Sequence, residues 1–422
     1  MHNVPLAEAG AVLTIDLDAL ASNWRLLAAR VRPALCAAVV KADAYGIGIE
    51  RAVPALAKAG CRTFFVAHAS EGRRVREALP EQIRGVRIYV LNGIPPDIYG
   101  ADALAESGLR PVLSSLEAIG RWNGFSERNA VGLPAALHID TGMNRLGIAL
   151  EEIDTAKALV AKGPYPALAT APGGFDSSAF GVASSPPTNI VALRKTTKQT
   201  APIVPPGVYL DLVMSHFVSS ENPDDPLNWR QTNTFRKAAE QFPGISASLA
   251  NSSGIFLPHQ PVFDLVRPGY ALYGGNPVPG APNPMRPVIT LTARILQVHR
   301  VPAGGTVGYN SQWTAQRNTQ LATVGIGYAD GYPRQAGSTD MRREGAEVMI
   351  AGRRCRIAGR VSMDLAIIDV TDVPGSAVQP GAPVELLNRD ITIDDLASYA
   401  GNSGYTVLTG LGARYHRVYV GG

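Results

Sequence analysis

Eight short, continuous apolar runs constrain this chain more than any other feature: LCAAVV (35–40), TFFVA (63–67), VRIYVL (86–91), PVL (111–113), PAALHI (134–139), YLDLVM (209–214), SASLA (246–250) and DLV (264–266). Helical patterns separate them. A further one precedes the first run, where Asp16 reads as a cap and Leu20, Trp24, Leu27 and Val31 recur at helical spacing. Runs that are apolar throughout suit a parallel sheet covered on both faces. Eight strand–helix units predict an α/β fold, a (β/α)8 barrel whose functional groups gather at the carboxyl ends of its strands. VRIYVL and PVL are short, and a doubly wound open sheet is the structural alternative.

The segment GGNPVPGAPNPMRP (274–287) is dense in proline, glycine and asparagine and reads as a linker. Beyond it VITLTARILQVHRV, LATVGIGYA, EVMIAGRRCRIAG and DLAIIDV are strand-like between Gly-rich turns, and ITIDDLASYAG (391–401) reads as one short helix. The expectation is a barrel over residues 1–278 and a mostly-β domain over 279–422. Residues 163–206, rich in proline, serine and threonine, fit no unit. They follow the fifth helix and precede the sixth strand, which puts such an insertion on the face opposite the active site.

With 46% apolar and 18% charged residues, 422 in all, the chain has material for a sizeable core. A formal charge of +4 without basic runs calls for neither nucleic acid nor a membrane surface. Cys36, Cys61 and Cys355 are isolated, which indicates neither a disulfide framework nor a metal site. The N-terminal residues lack the pattern of a signal peptide, and no apolar stretch reaches spanning length, so a cytoplasmic protein is expected.

The first run ends in AVVKADAYGIG, which places Lys41 at the mouth of a buried strand, with Tyr45 four residues on at the opening of what reads as a helix. A lysine amine is nucleophilic once desolvation lowers its pKa, so Lys41 is a candidate for a Schiff base. Lysines in such places are more often simply solvated.

VVKADAYGIG (39–48) is one of eight motifs, with HIDTGMNRLGI (138–148), MSHF (214–217), ANSSG (250–254), VRPGYALYG (266–274), VGYN (307–310), GIGYADGYPR (325–334) and GRVSMD (359–364), that run in order along the chain. In this set the chain resembles the alanine racemases, fold-type III enzymes dependent on pyridoxal phosphate (PLP). The resemblance implies a homodimer with shared active sites, racemisation of alanine, and D-alanine supplied for peptidoglycan. It implies that Lys41 holds PLP and then serves as the base on one face of the substrate. Tyr309, donated by the other subunit, is the base on the opposite face, linked to His216 and Arg267. Arg267 also faces the PLP ring nitrogen, and a guanidinium, which does not readily release its proton, leaves that nitrogen unprotonated.

Further roles come from the same resemblance. Tyr45, Ser252, Gly269 and Tyr270 match the phosphate site. Independently of the family, barrels often bind phosphate in the loops after strands seven and eight, where Ser252, Gly269 and Tyr270 fall. Arg145 matches the arginine beside the PLP phenolic oxygen and the substrate carboxylate. Met363 matches a backbone contact to that carboxylate from the second subunit. Tyr328, Glu221, Arg334 and Arg360 fall where the family lines the substrate's approach. Three positions depart from the pattern: His138 stands where many members carry a carbamylated lysine, Ala413 where many have a phosphate-contacting tyrosine (Tyr415 is nearby but unaligned), and Ile47 where a histidine is common. A racemase of broader amino-acid range is the alternative within the fold. A decarboxylase of the same plan lacks the VGYN tyrosine, and single-barrel PLP carriers lack the second domain.

Overall fold

The computed structural model describes residues 3–97, 99–161 and 204–422. The 163–206 insertion therefore lies outside the described residues except for its last three positions.

All eight apolar runs form strands. Seven of them line up as one parallel sheet: Ala38–Val39, Thr63–Val66, Arg87–Val90, Arg110–Leu113, Gly132–His138, Gly207–Met214 and Ser246–Ser248, each paired to the next. The eighth, Leu265–Val266, pairs in parallel with Leu35–Cys36, the first half of the opening run. Asp264 N donates to Ala247 O at 3.0 Å and Arg267 N to Ala250 O at 2.9 Å, which closes the ring between strands seven and eight. The two short runs, at 87–90 and 110–113, hold their places because ring closure and burial on both faces select them whatever their length. Phe64, Phe65, Tyr89, Val90, Val112 and Leu137 are buried in and around this barrel. Its interior also holds a charge pair, Arg110 to Asp211, with Tyr89 donating to the same carboxylate at 2.9 Å.

Helix Leu17–Arg30 begins where Asp16 accepts from Ala19 N at 2.8 Å, and it buries Leu20, Trp24 and Leu27. Its Asn23 pins the linker: Nδ2 donates to Leu272 O and Arg286 O, and Oδ1 accepts from Arg286 N. The Pro/Gly-rich stretch is thus tied down at its end.

The second half is a mostly-β body. Ile289–Val301 is its long central strand, flanked by Pro383–Leu387 and Thr319–Val324, and Glu347–Ile350 with Arg353–Arg356 forms a hairpin on the outer side of Pro383–Leu387. The helix expected near 391–401 spans Ile393–Ala400, capped by Thr392 in a box with Asp395. Two of its strands come from the chain's ends: Ala11–Asp16 lies between Ile289–Val301 and His416–Val420. Asp394 ties the two halves together, accepting from Tyr270 OH at 2.6 Å and Asn276 N at 3.0 Å.

Candidate active site

A cavity of about 510 Å³ opens at the carboxyl ends of the barrel strands. Lys41, Tyr45, Arg145, His216, Ser252, Arg267, Gly269 and Tyr270 all line it, so the residues expected to hold a cofactor converge on one place. His138, Asn251 and Tyr405 join them. Among the described residues its lining contains three cationic side chains and no carboxylate.

Lys41 follows the first barrel strand, and the chain then does something a sequence reading did not foresee. Instead of opening a right-handed helix, Ala42, Asp43, Ala44 and Tyr45 all take positive φ between 52° and 55°. Each such residue costs about 1–2 kcal/mol relative to the right-handed form. Outside contacts hold the turn. Ala42 N donates to Glu71 Oε1 at 2.6 Å, Asp43 Oδ1 accepts from Ile49 N and pairs with Arg74, and Arg74 pairs with Glu50. The left-handed turn carries the Tyr45 hydroxyl back to Gly269. A Cβ at Gly269 would sit 2.3 Å from that oxygen, which is why the loop needs glycine there.

Lys41 is solvent-accessible within the cavity yet walled by it. Desolvation first, then the Arg145 charge, lowers its pKa below the ordinary lysine range, while Glu71 acts in the opposite sense. A lowered pKa keeps more of the amine free to attack a carbonyl near neutral pH.

The HIDTGMNRLGI motif is a loop folded around Asp140, whose carboxylate accepts from the N–H groups of Gly142, Met143 and Asn144 at 2.8–2.9 Å. The loop closes by Asp140 N to Ile148 O and Ile148 N to His138 O, and it presents Arg145 to the cavity. His138, which replaces a possible lysine, is buried, and desolvation followed by Arg267 pushes its pKa down to about 4. It is a neutral imidazole near pH 7. His216 is likewise lowered to about 3 by burial and then by Arg267, Arg145, Lys41 and His138.

Arg267 is 4% exposed, and it donates to Ser248 Oγ and the carbonyls of Ser215 and Leu249. Burial brings its pKa down to about 9. Ser252 Oγ accepts from Gly269 N at 3.0 Å and Ala271 N at 3.1 Å. The two buried amides fix the Ser252 oxygen as acceptor, and the Ser252 O–H, with these amides behind it, makes a cradle for an oxyanion. Tyr45 stacks on Tyr273 and Tyr270 on Tyr405, walling the same end. Burial keeps the Tyr45 and Tyr270 phenols protonated, with Asp394 second for Tyr270.

The structure does not bring every expected residue to this cavity. Tyr309 and Met363 are 68% and 53% exposed, and neither lines it within one chain. They share a face with the others from the second half. The Gly308 backbone abuts Arg360 N, Gly337 packs on Gly359 and Arg360, and Tyr328 N donates to Ser362 O at 3.1 Å. Arg334 is exposed three residues before Gly337. Glu221 sits apart from these, near Tyr405, whose phenol is held protonated by burial first and then by Tyr45 and Glu221. Of the departures, Ala413 is exposed, Ile47 is core, and Tyr415 is buried with its hydroxyl lacking a hydrogen-bond partner among the described residues. Tyr405 is the residue missed: it lies eight positions before Ala413, on helix Gly404–Thr409, and lines the cavity. Nothing local in GYTVLT marks it; only the packing of that helix on the Lys41–Tyr45 turn does.

The model of the alanine racemase N-terminal domain matches residues 15–169 and 189–277, and that of the C-terminal domain residues 288–419. Residues 170–188, the middle of the insertion, fall outside both. The chain is similar to the alanine racemase of Methylobacterium sp. (strain 4-46), with 49% identity covering 97% of this chain and 98% of that one. To the alanine racemase of Rhodospirillum rubrum it is 45% identical over 98% of this chain and 96% of that one. Among solved structures, the alanine racemase of Bartonella henselae with covalently bound pyridoxal phosphate superposes with a TM-score of 0.79 and 33% identity, covering 97% of this chain and 99% of that one. With a barrel mouth that gathers these residues and relatives matching from end to end, the chain belongs to the alanine racemase family.

Proposed function

We propose that this family member interconverts L- and D-alanine with bound PLP, Lys41 and the Tyr309 of a second subunit acting on opposite faces of the substrate's Cα. The observation that carries the site assignment is the cavity lining: a lysine at a strand mouth, two arginines, a two-amide oxyanion cradle and no carboxylate among the described residues. Such a lining suits a phosphorylated, carbonyl-bearing ligand together with an amino-acid carboxylate.

PLP, when bound, supplies an electron sink for the negative charge at Cα. The chain supplies the rest. Ser252, its hydroxyl fixed by the Gly269 and Ala271 amides, would hold the phosphate with Tyr45 and Tyr270. Arg267, buried at the cavity wall, would face the ring nitrogen and leave it unprotonated. Arg145, fixed by the Asp140 loop, orients the carboxylate. Lys41 Nζ takes or returns a proton on one face, and Tyr309 Oη does so on the other. Two bases of unlike kind on opposite faces allow a reversible exchange of configuration.

The exposure of Tyr309, Met363, Tyr328 and Arg334, with Arg360 half-buried beside Gly308, supports a homodimer in which these residues complete the partner's cavity. The chain divides near residues 278–279 into barrel and β body, with Ala11–Asp16 belonging by its pairing to the second. We place the activity in the cytoplasm, as a source of D-alanine for peptidoglycan. The test is the visible absorbance of lysine-bound PLP together with turnover of a panel of L-amino acids. Dominant turnover of alanine is expected. Dominant turnover of serine, lysine or arginine would move the substrate, and absorbance without racemisation would overturn the assignment.

A further inference from the structure

The left-handed turn after Lys41 connects the two ends of the cavity. It starts at the amine and ends at Tyr45, whose hydroxyl touches the phosphate cradle at Gly269. Four consecutive non-glycine residues do not stay in this conformation unaided, so the contacts that hold it set the separation of the two groups.

Glu71 makes the contact nearest the amine. Its Oε1 accepts from Ala42 N at 2.6 Å, while Oε2 accepts from Ala67 N at 2.8 Å and His68 N at 3.1 Å. One carboxylate thus clamps the turn after the first strand to the loop after the second, and it caps helix Ala69–Ala78 from N3. A helix cap requires the Oε2 contacts alone. The bond to Ala42 N goes beyond capping and lands on the peptide next to Lys41. Downstream, Asp43 and Arg74 brace the same turn against the same helix.

We propose that Glu71 is a positioning residue for Lys41: its carboxylate holds the turn left-handed and so fixes the amine relative to the Tyr45 hydroxyl. The inference rests on the reading of the cavity as a PLP site. It concerns the capture of PLP by the apo-protein, before any substrate enters.

The experiment strips PLP from the protein with hydroxylamine, titrates it back, and follows absorbance; borohydride then fixes the cofactor for location on the Lys41 peptide. In Glu71→Gln, one oxygen cannot serve both sets of N–H donors, and PLP affinity is expected to fall about tenfold or more while circular dichroism stays as in wild type. Adding Ala42→Gly, which takes positive φ freely, is expected to restore much of that affinity. A defect in the helix cap would not respond to Ala42→Gly.

A second readout is the pH dependence of capture. Arg145 and His216 interact electrostatically with the amine, Arg267 and His138 line the same cavity, and the Glu71 charge acts on the amine in the opposite sense to Arg145. Loss of the Glu71 charge should move the midpoint of capture to lower pH. If Glu71→Gln does not fold, Arg74→Gln loosens the same turn through Asp43 and is expected to weaken capture in the same sense. Affinity within twofold of wild type in the folded variant, or no response to Ala42→Gly, overturns the proposal. Failure of the wild-type apo-protein to capture PLP would instead overturn the cofactor reading.

Discussion

Ser252→Ala isolates the oxyanion cradle from the rest of the cavity. Ser252 is 2% exposed, and its hydroxyl is the acceptor for two backbone N–H groups, Gly269 at 3.0 Å and Ala271 at 3.1 Å. Alanine leaves both amides unpaired in the apo-protein. A buried donor stripped of its partner costs about 1–3 kcal/mol, so the pair costs about 2–6 kcal/mol of unfolding free energy. Urea unfolding of the apo-variant against apo-wild type measures this directly, at constant slope. An anion in the cradle gives those amides an acceptor again, so the deficit should shrink when the titration is repeated with inorganic phosphate or PLP. An apo-variant unfolding at the wild-type midpoint would refute the reasoning, because the two amides would then not depend on Ser252. A deficit that phosphate leaves untouched would show that the cradle does not receive an anion.

Other outcomes follow from the same structure. Lys41→Ala should lose the absorbance of lysine-bound PLP and nearly all racemisation; retained absorbance would move the attachment elsewhere. Tyr309→Ala should keep that absorbance and impair proton removal from L-alanine selectively, and equal loss of α-deuterium exchange from both enantiomers would contradict the assignment of faces. His138 titrates near 4 in the folded protein and near 6.5 unfolded, so the unfolded state binds the extra proton between those values and stability falls as pH falls through that window. The effect reaches about 3 kcal/mol, His216 adds to it in the same direction, and His138→Asn should flatten the profile in urea titrations from pH 7 to 4. Asp211→Asn strips the carboxylate from a buried guanidinium and should cost about 3–5 kcal/mol of stability without shifting the absorbance.

The barrel was legible because its evidence is one-dimensional: eight apolar runs at strand length, each followed by a helical period. The strand Ala11–Asp16 was not. It alternates buried and half-exposed residues, as an open sheet requires, but its partners lie about 280 and 400 residues downstream, and no local pattern names them. The site residues from the barrel were legible as motifs, because loops at strand mouths keep their chemistry in a few contiguous letters. The backbone of KADAY was misjudged. Its alanines favour a right-handed helix locally, and the left-handed form exists through Glu71 and Arg74, from another unit of the barrel. Tyr405 escaped for the same reason. It reaches the cavity because helix Gly404–Thr409 packs on that turn, which a linear reading cannot see.

The central claim, one active site built from Lys41 of one subunit and Tyr309 of another, is tested most directly by mixing two inactive proteins. Lys41→Ala and Tyr309→Ala are each purified, combined under conditions that exchange subunits, and assayed for racemisation of L-alanine. In a hybrid dimer one of the two sites draws both bases from intact positions, so random exchange should restore about a quarter of wild-type activity. No recovery, with exchange of subunits demonstrated, would contradict a site shared between chains.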